Sequence, residues 1–161
     1  MATAGDDVPT IGWREWVKLP RLGGATVKAK VDTGARTSTL HAFDVTETER
    51  DGEARVSFAF HPNQDDEETE IRAEARLVDR RNVTASNGQS ELRYVVETEV
   101  DVDGEPIPIE LTLTRRDAMG FRMLLGRHAL RGRFMVDPKL SYRGKVSRRL
   151  RRKARKERQS K

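Results

Sequence analysis

The stretch KAKVDTGARTSTLHA, residues 28–42, sets Asp32, Thr33 and Gly34 directly after an alternating apolar run. Asp, Thr and Gly are ordinary turn residues, so a strand ending in a turn is one reading of the tripeptide. The chemical reading is acid–base hydrolysis. Two carboxylates held within a few ångströms share one proton, and their pKa values split. One then takes a proton from water while the other donates to an amide carbonyl, and the pair titrates as a unit. Such a carboxylate needs a rigid strand-end loop, a neighbouring hydroxyl for hydrogen bonds and a glycine for close approach. Asp32, Thr33 and Gly34 meet those needs in that order. The chain holds no second Asp-Thr-Gly and no Asp-Ser-Gly. A working dyad of this kind therefore requires a symmetric homodimer, one Asp32 from each copy.

Other hydrolytic chemistries find less support. There is no cysteine, so no thiolate can serve as nucleophile or metal ligand, and no His-Glu-x-x-His occurs. His41, His61 and His128 are widely spaced. A zinc site assembled in space from His41, His128 and a carboxylate is the minor alternative, and the reading adopted is no metal. No Gly-x-x-x-x-Gly-Lys-Ser/Thr loop is present, so ATP hydrolysis by this chain is not expected and no cofactor is assigned.

The elements that must position Asp32 read as strands. AEARLV, ELRYVVETEVDV and IPIELTLT alternate apolar and polar residues with period two. Asp51-Gly52 and Asp103-Gly104 are hairpin turns, and Asn87-Gly88 marks the tip of a polar loop. Pro106 and Pro108 suit an edge strand. DAMGFRMLLGRHALRG is the segment expected to contain helix. The fold class is mostly β with little helix. Residues 44–70 hold ten acids against Arg50 and Arg55, a pattern expected of solvated loops.

The formal charge of +5 hides a split. Residues 145–161, KVSRRLRRKARKERQSK, carry a net +9, and the preceding 144 residues carry −4. We expect a disordered lead over 1–10, one domain over 11–144 and a basic tail over 145–161, disordered or helical only on a partner. The tail has no aromatic residue to stack on bases, so nonspecific contact with RNA or the ribosome through phosphates is the expected mode. The first ten residues lack the basic start and apolar stretch of a signal peptide. No run reaches the roughly 18 apolar residues of a membrane span. A cytoplasmic location without membrane contact is expected.

Several blocks together, GWREWV, KAKVDTGARTSTLHAFD, VDRR, LRYVVET and TLTRRDAMGFRMLLGRHALRGRFMVDP, resemble the family called ATP-dependent zinc proteases, which is grouped by fold with the retropepsin-like proteases. The resemblance spans roughly residues 11–144. It implies a retropepsin-like closed β-barrel protomer of the acid-protease fold, a dimer-centred Asp-Thr-Gly loop and a flap, here around Asn87 and Gly88. It assigns catalysis to Asp32, with Thr33 bracing the loop and Gly34 permitting close approach. Relatives associated with ligases that append glutamates to a ribosomal protein imply an endopeptidase acting on poly-glutamate or a glutamylated tail. An acidic substrate calls for cations that grip carboxylates. Arg36, Arg80 and Arg81 are the first candidates, then Arg93, Lys30 and Arg127, with Lys28, Arg115, Arg116 and Arg122 nearby. Arginines on β domains are also commonly surface ion-pair partners, and Glu91 could pair with one of them. A non-catalytic module binding acidic tails and RNA is the alternative function, and a zinc-dependent protease a lesser one.

Overall fold

Strand formation follows the period-two pattern most clearly in Ala25–Asp32, where Ala25, Val27, Ala29 and Val31 are buried and the residues between them are half-buried. The computed structural model describes residues 8–84, 86–115 and 120–159. In chain order its strands are β1 (Thr10–Ile11), β2 (Arg14–Leu19), β3 (Ala25–Asp32), β4 (Ser38–His41), β5 (Phe43–Arg50), β6 (Glu53–Phe60), β7 (Ile71–Thr84), β8 (Ser90–Asp101), β9 (Pro106–Thr114), β10 (Met123–Gly126) and β11 (Met135–Val136). A one-turn helix α1 (Arg127–Leu130) follows β10, and α2 (Lys145–Gln159) comes last.

Nine strands form one sheet in the order β2-β3-β10-β4-β9-β8-β7-β6-β5, and β2 also meets β8 at Lys18 and Asp101. The pairing of β2 with β8 joins β2, β3, β10, β4, β9 and β8 into a ring, with β7, β6 and β5 running on from β8. Val17, Val27, Leu40, Val96, Leu111, Met123 and Leu125 fill the interior and are fully buried. Two pairings in this mainly antiparallel sheet are parallel, β10 with β3 and β4 with β9. They interlock the two halves of the ring beside the Asp-Thr-Gly loop.

The hairpin turns fall where the sequence puts them. Asp51 and Gly52 both have positive φ between β5 and β6, as a two-residue type I′ connection requires. Gly104 follows the end of β8, its N–H donating to Asp101 Oδ1 at 2.7 Å. The half of β9 that carries Pro106 and Pro108 pairs with β8, while β4 pairs only with Leu111–Thr114. The prolines thus lie where the strand has a single neighbour.

Two expectations need correction and a third is narrowed. The acidic residues 44–60 are hairpin, not loop, because Val56, Phe58 and Phe60 supply a buried face behind the exposed acids. The segment around Leu124 does contain helix, limited to the single turn α1, while Met123 and Leu125 before it alternate into the core as strand. The basic tail is a 15-residue helix seated on the domain, with Ser147 fully buried and Val146 9% exposed. At the other end, β1 pairs with β11 and Pro9 O accepts from Met135 N at 3.0 Å, so order begins before residue 11.

Candidate active site

Asp32 closes β3, and four contacts fix the loop that follows. Val31 N donates to Trp13 O at 2.8 Å, and Ala35 N donates to Asp32 O at 3.3 Å. Gly34 N donates to Asp32 Oδ1 at 2.9 Å, and Arg127 Nη1 donates to Thr33 O at 3.2 Å. β10 and α1 hold the far side of the loop. Arg127 N donates to Ala35 O at 2.7 Å and His128 N to Arg36 O at 3.1 Å.

Gly126 explains why Leu-Leu-Gly must precede that turn. It sits opposite Asp32 in the parallel pairing, and its N–H donates to the buried Ser38 Oγ at 3.0 Å. A Cβ at this position would lie 2.4 Å from Thr37 O, a clash with backbone that no rotamer relieves. Only glycine lets β10 lie this close behind the loop.

Asp32 is half-buried, whereas Thr33 and Gly34 are exposed. Among the described residues Asp32 Oδ2 has no hydrogen-bond partner. The carboxylate is therefore oriented through one oxygen and open at the other. A lone carboxylate in this geometry can accept a proton from water, but it has no acid beside it to polarise an amide carbonyl.

The candidate cations divide by partner. Arg80 Nε bonds Glu47 Oε1 at 2.6 Å, Arg81 Nε bonds Asp79 Oδ2 at 2.8 Å and Arg93 Nε bonds Glu91 Oε2 at 2.9 Å. Arg127 braces Thr33 as described. Lys28 Nζ lies 5.1 Å from the centre of the Phe121 ring, and half-buried Lys30 lies opposite Leu124 in the pairing of β3 with β10. Arg122 is 6% exposed and donates from Nε to Asn63 O at 3.2 Å, tying down residues 61–70. Arg36 and Arg115 are exposed, and their guanidinium groups have no partner among the described residues. Arg116 lies outside those residues.

Asn87 and Gly88 form the tip of the β7–β8 hairpin, Gly88 with φ of 86° and Asn87 Oδ1 accepting from Gln89 N at 3.1 Å. Close to the tip, where Glu91 pairs with Val83, a cavity of about 360 Å³ is lined by Ala42, Val45, Glu91, Leu92, Tyr94 and Arg115. Glu91 is its polar centre, accepting from Arg115 N at 2.9 Å, from Arg93 Nε and from Thr114 Oγ1. Partial burial raises the Glu91 pKa, but those three donors outweigh it and hold the carboxyl below its usual range. A second cavity, about 430 Å³, is lined in part by Thr37, Ser38, Val78, Glu97 and His128, beside the Asp32 loop. The histidines stand apart. His61 stacks on Phe43 and bonds Thr69 O through Nδ1, His41 lies on β4, and His128 is exposed on α1. Among the described residues no three of His, Asp and Glu converge as metal ligands.

Sequence reasoning missed Glu15. It is fully buried and accepts four hydrogen bonds at 2.8 Å, from Gly12 N and Arg143 N on Oε2 and from Gly144 N and Ser147 Oγ on Oε1. Ser147 Oγ in turn accepts from Trp16 N at 2.9 Å. This carboxylate clasps the segment before β2 to the start of α2. Its one sequence signal is an acid at an inward position of the alternating REWVKL, which a count of charges conceals.

Comparison with known proteins bears on the family and the fold. Three curated relatives, each called "Probable alpha-L-glutamate ligase", come from Shewanella pealeana, Shewanella halifaxensis and Parasynechococcus marenigrum. They are 48%, 46% and 48% identical over 132 residues, 82% of this chain. The chain spans only 28–29% of their length. The crystal structure of Lpg0085 from Legionella pneumophila, a protein described as of unknown function, superposes with a TM-score of 0.69 at 26% identity, covering 84% of this chain and 97% of that one. Residues 10–146 match the RimB-like family model, described as retropepsin-like aspartic endopeptidase RimB, and the chain belongs to that family.

Proposed function

We propose that this protein is an aspartic endopeptidase, active as a symmetric homodimer, that hydrolyses amide bonds in glutamate-rich chains. One observation carries the reading: a single Asp32, clamped on a strand-end loop with Oδ2 open and the adjoining Thr33 and Gly34 exposed. A second Asp32 brought in across those exposed residues would complete the dyad. One carboxylate would then take a proton from water as its oxygen attacks the amide carbon, while the protonated partner donates to the carbonyl oxygen. Collapse of the tetrahedral adduct with proton transfer to nitrogen releases acid and amine, with no covalent enzyme intermediate.

Two features support an acidic substrate. Relatives of nearly half-identical sequence carry the name glutamate ligase, and Arg36 and Arg115 have guanidinium groups available to grip carboxylates. The β7–β8 hairpin is the proposed flap, with Asn87 and Gly88 at its tip. In its paired state Arg80, Arg81 or Arg93 can meet a substrate carboxylate only by exchanging a protein partner for it.

The test is cleavage of α-linked poly-glutamate and of a glutamate-tailed peptide by the parent and by Asp32→Asn, with mass measured by sedimentation. Acid–base residues of this kind contribute about 10²–10⁴-fold, so Asp32→Asn should lose at least that while remaining folded and dimeric. Full activity in the variant, or activity that resides in a monomer, refutes the reading. Tight binding of oligo-glutamate without turnover would leave the binding-module alternative.

A further inference from the structure

Helix α2 extends past residue 146, where the family match ends, and nothing in the proposed peptidase chemistry uses it. Its 15 residues hold nine Lys or Arg and one Glu. The only apolar positions are Val146, Leu150 and Ala154, one stripe at i, i+4 and i+8, buried or half-buried where the helix meets β2. The other faces are cationic. Like charges at i and i+4, such as Arg148 with Arg152 and Arg151 with Arg155, oppose helix formation in isolation, so the anchored first turn has to nucleate it.

That anchor is built. Besides the Glu15 clasp on Ser147, Val146 N donates to Val102 O at 3.2 Å and Lys145 N to Asp103 Oδ1 at 2.9 Å. Arg148 reaches Asp103, and Arg151 bonds Tyr142 O. Beyond them, Arg149, Arg152, Lys153, Arg155 and Arg158 are exposed and make no ion pair among the described residues. A rigid domain thus presents an arm of unmatched cations.

We infer that α2 is a docking arm for double-stranded RNA, gripping phosphates without reading bases. Charge spacing argues for a duplex. At 1.5 Å rise per residue the helix spans about 22 Å, one cation per roughly 2.5 Å. An extended glutamate chain offers one carboxylate per about 3.4 Å along one strand, too few to match it. Duplex DNA offers one phosphate per about 1.7 Å, drawn from two strands, and duplex RNA likewise presents two phosphate rows. The major groove of A-form RNA is too narrow to admit a helix, and that narrowness brings the phosphates of its two strands close together across the groove mouth, so a helix lying over the mouth meets both rows with cations on more than one face. Arginine, six of the nine cations, matches phosphate geometry in a bidentate way. The absence of aromatics disfavours single strands, which bind by stacking. An apolar stripe ending in Ala154 and already turned to β2 leaves little to insert into a membrane.

The experiment is fluorescence anisotropy of the full chain with a labelled RNA duplex at salt from 50 to 200 mM. Five phosphate contacts give a log–log slope near −4.5 and about a 500-fold loss of affinity across that range. Changing Arg149, Arg152, Lys153, Arg155 and Arg158 to Gln, a residue of similar helix propensity, should weaken binding about 100-fold or more and flatten the slope by four to five units. Changing the four arginines to Lys should preserve the slope. Should the Gln variant fail to fold, the slope of the parent protein and competition with unlabelled duplex RNA decide. Failure to bind at 50 mM salt overturns the proposal, as does a Gln variant that binds like the parent. So does competition by duplex DNA, poly-glutamate or phosphatidylserine vesicles as effective as that by RNA. None of these results depends on peptidase activity, so the arm and the dyad fail separately.

Discussion

Glu15→Gln tests whether one buried carboxylate holds both the site and the tail in place. The substitution keeps the shape and exchanges one acceptor oxygen for an NH₂ donor. If the amide nitrogen replaces Oε2, it faces the N–H groups of Gly12 and Arg143; if it replaces Oε1, it faces Gly144 N–H and the Ser147 hydroxyl. The second choice costs less, because the hydroxyl can turn and accept while still receiving the Trp16 N–H. Gly144 N–H then remains buried without an acceptor, at about 1–3 kcal/mol, and the surviving bonds lose charge assistance at about 1 kcal/mol apiece. The sum is roughly 3–5 kcal/mol, a large share of the 5–15 kcal/mol that a domain has. In a chain of this length it should lower Tm by about 6–20 °C. Urea unfolding of parent and variant measures the cost directly. The clasp also fixes Gly12, and the adjacent Trp13 carbonyl holds Val31 directly before Asp32. Peptidase activity should therefore fall below the melting range as well. A loss under about 1 kcal/mol would refute the assignment of four real hydrogen bonds to this carboxylate.

Other outcomes follow from the same geometry. Gly126→Ala sets a Cβ 2.4 Å from Thr37 O and should cost about 1–3 kcal/mol, as overpacking does, with activity lost at temperatures where circular dichroism still reports a folded chain. Arg36→Gln and Arg115→Gln should raise KM for a glutamate-rich peptide about tenfold each, the range of one charge-assisted contact, and leave kcat for a neutral peptide unchanged; equal effects on both peptides would refute a carboxylate-gripping role. Because the donors around Glu91 hold its folded pKa below the ordinary glutamate value of 4.5, its contribution to stability is complete above about pH 4.5 and is lost as pH falls through the lowered folded value. Acid unfolding curves of Glu91→Gln should accordingly fall less steeply below pH 4.5 than those of the parent.

Legibility in the sequence tracked how local the physics was. Alternation of apolar residues exposed β3, β8 and β9 because each strand buries one face, and Asp51-Gly52 announced its turn through two residues that tolerate positive φ. Residues 44–60 misled because acids dominate their composition, although Val56, Phe58 and Phe60 carry the hairpin's buried side. The tail misled for the opposite reason. Its arginines repel one another, and the group that overrides them, Glu15, lies 132 residues away from Ser147. No window of sequence contains both partners.

The site divides along the same line. Asp32 and Gly34 stood out in the sequence because close backbone approach demands particular residue types at fixed places, whereas the need for glycine at position 126 appears only where β10 lies beside β3, opposite Asp32. The cations were not readable as a group, because a guanidinium's role depends on which carboxylate it finds. Arg80 finds Glu47 across 33 residues of sequence, while Arg93 finds Glu91 on its own strand. Arg127, the cation nearest the Leu-Leu-Gly signature, holds up the carbonyl of Thr33. That pairing follows from charge balance in a domain with slightly more acids than bases: arginines close to carboxylates are neutralised, and specificity for an acidic chain falls to those left over. On this argument Arg36 and Arg115, at opposite ends of the parallel β4–β9 pair, define the acidic preference more than the arginine-rich β7, and exchanging Arg80 or Arg81 for Gln should change stability before it changes selectivity.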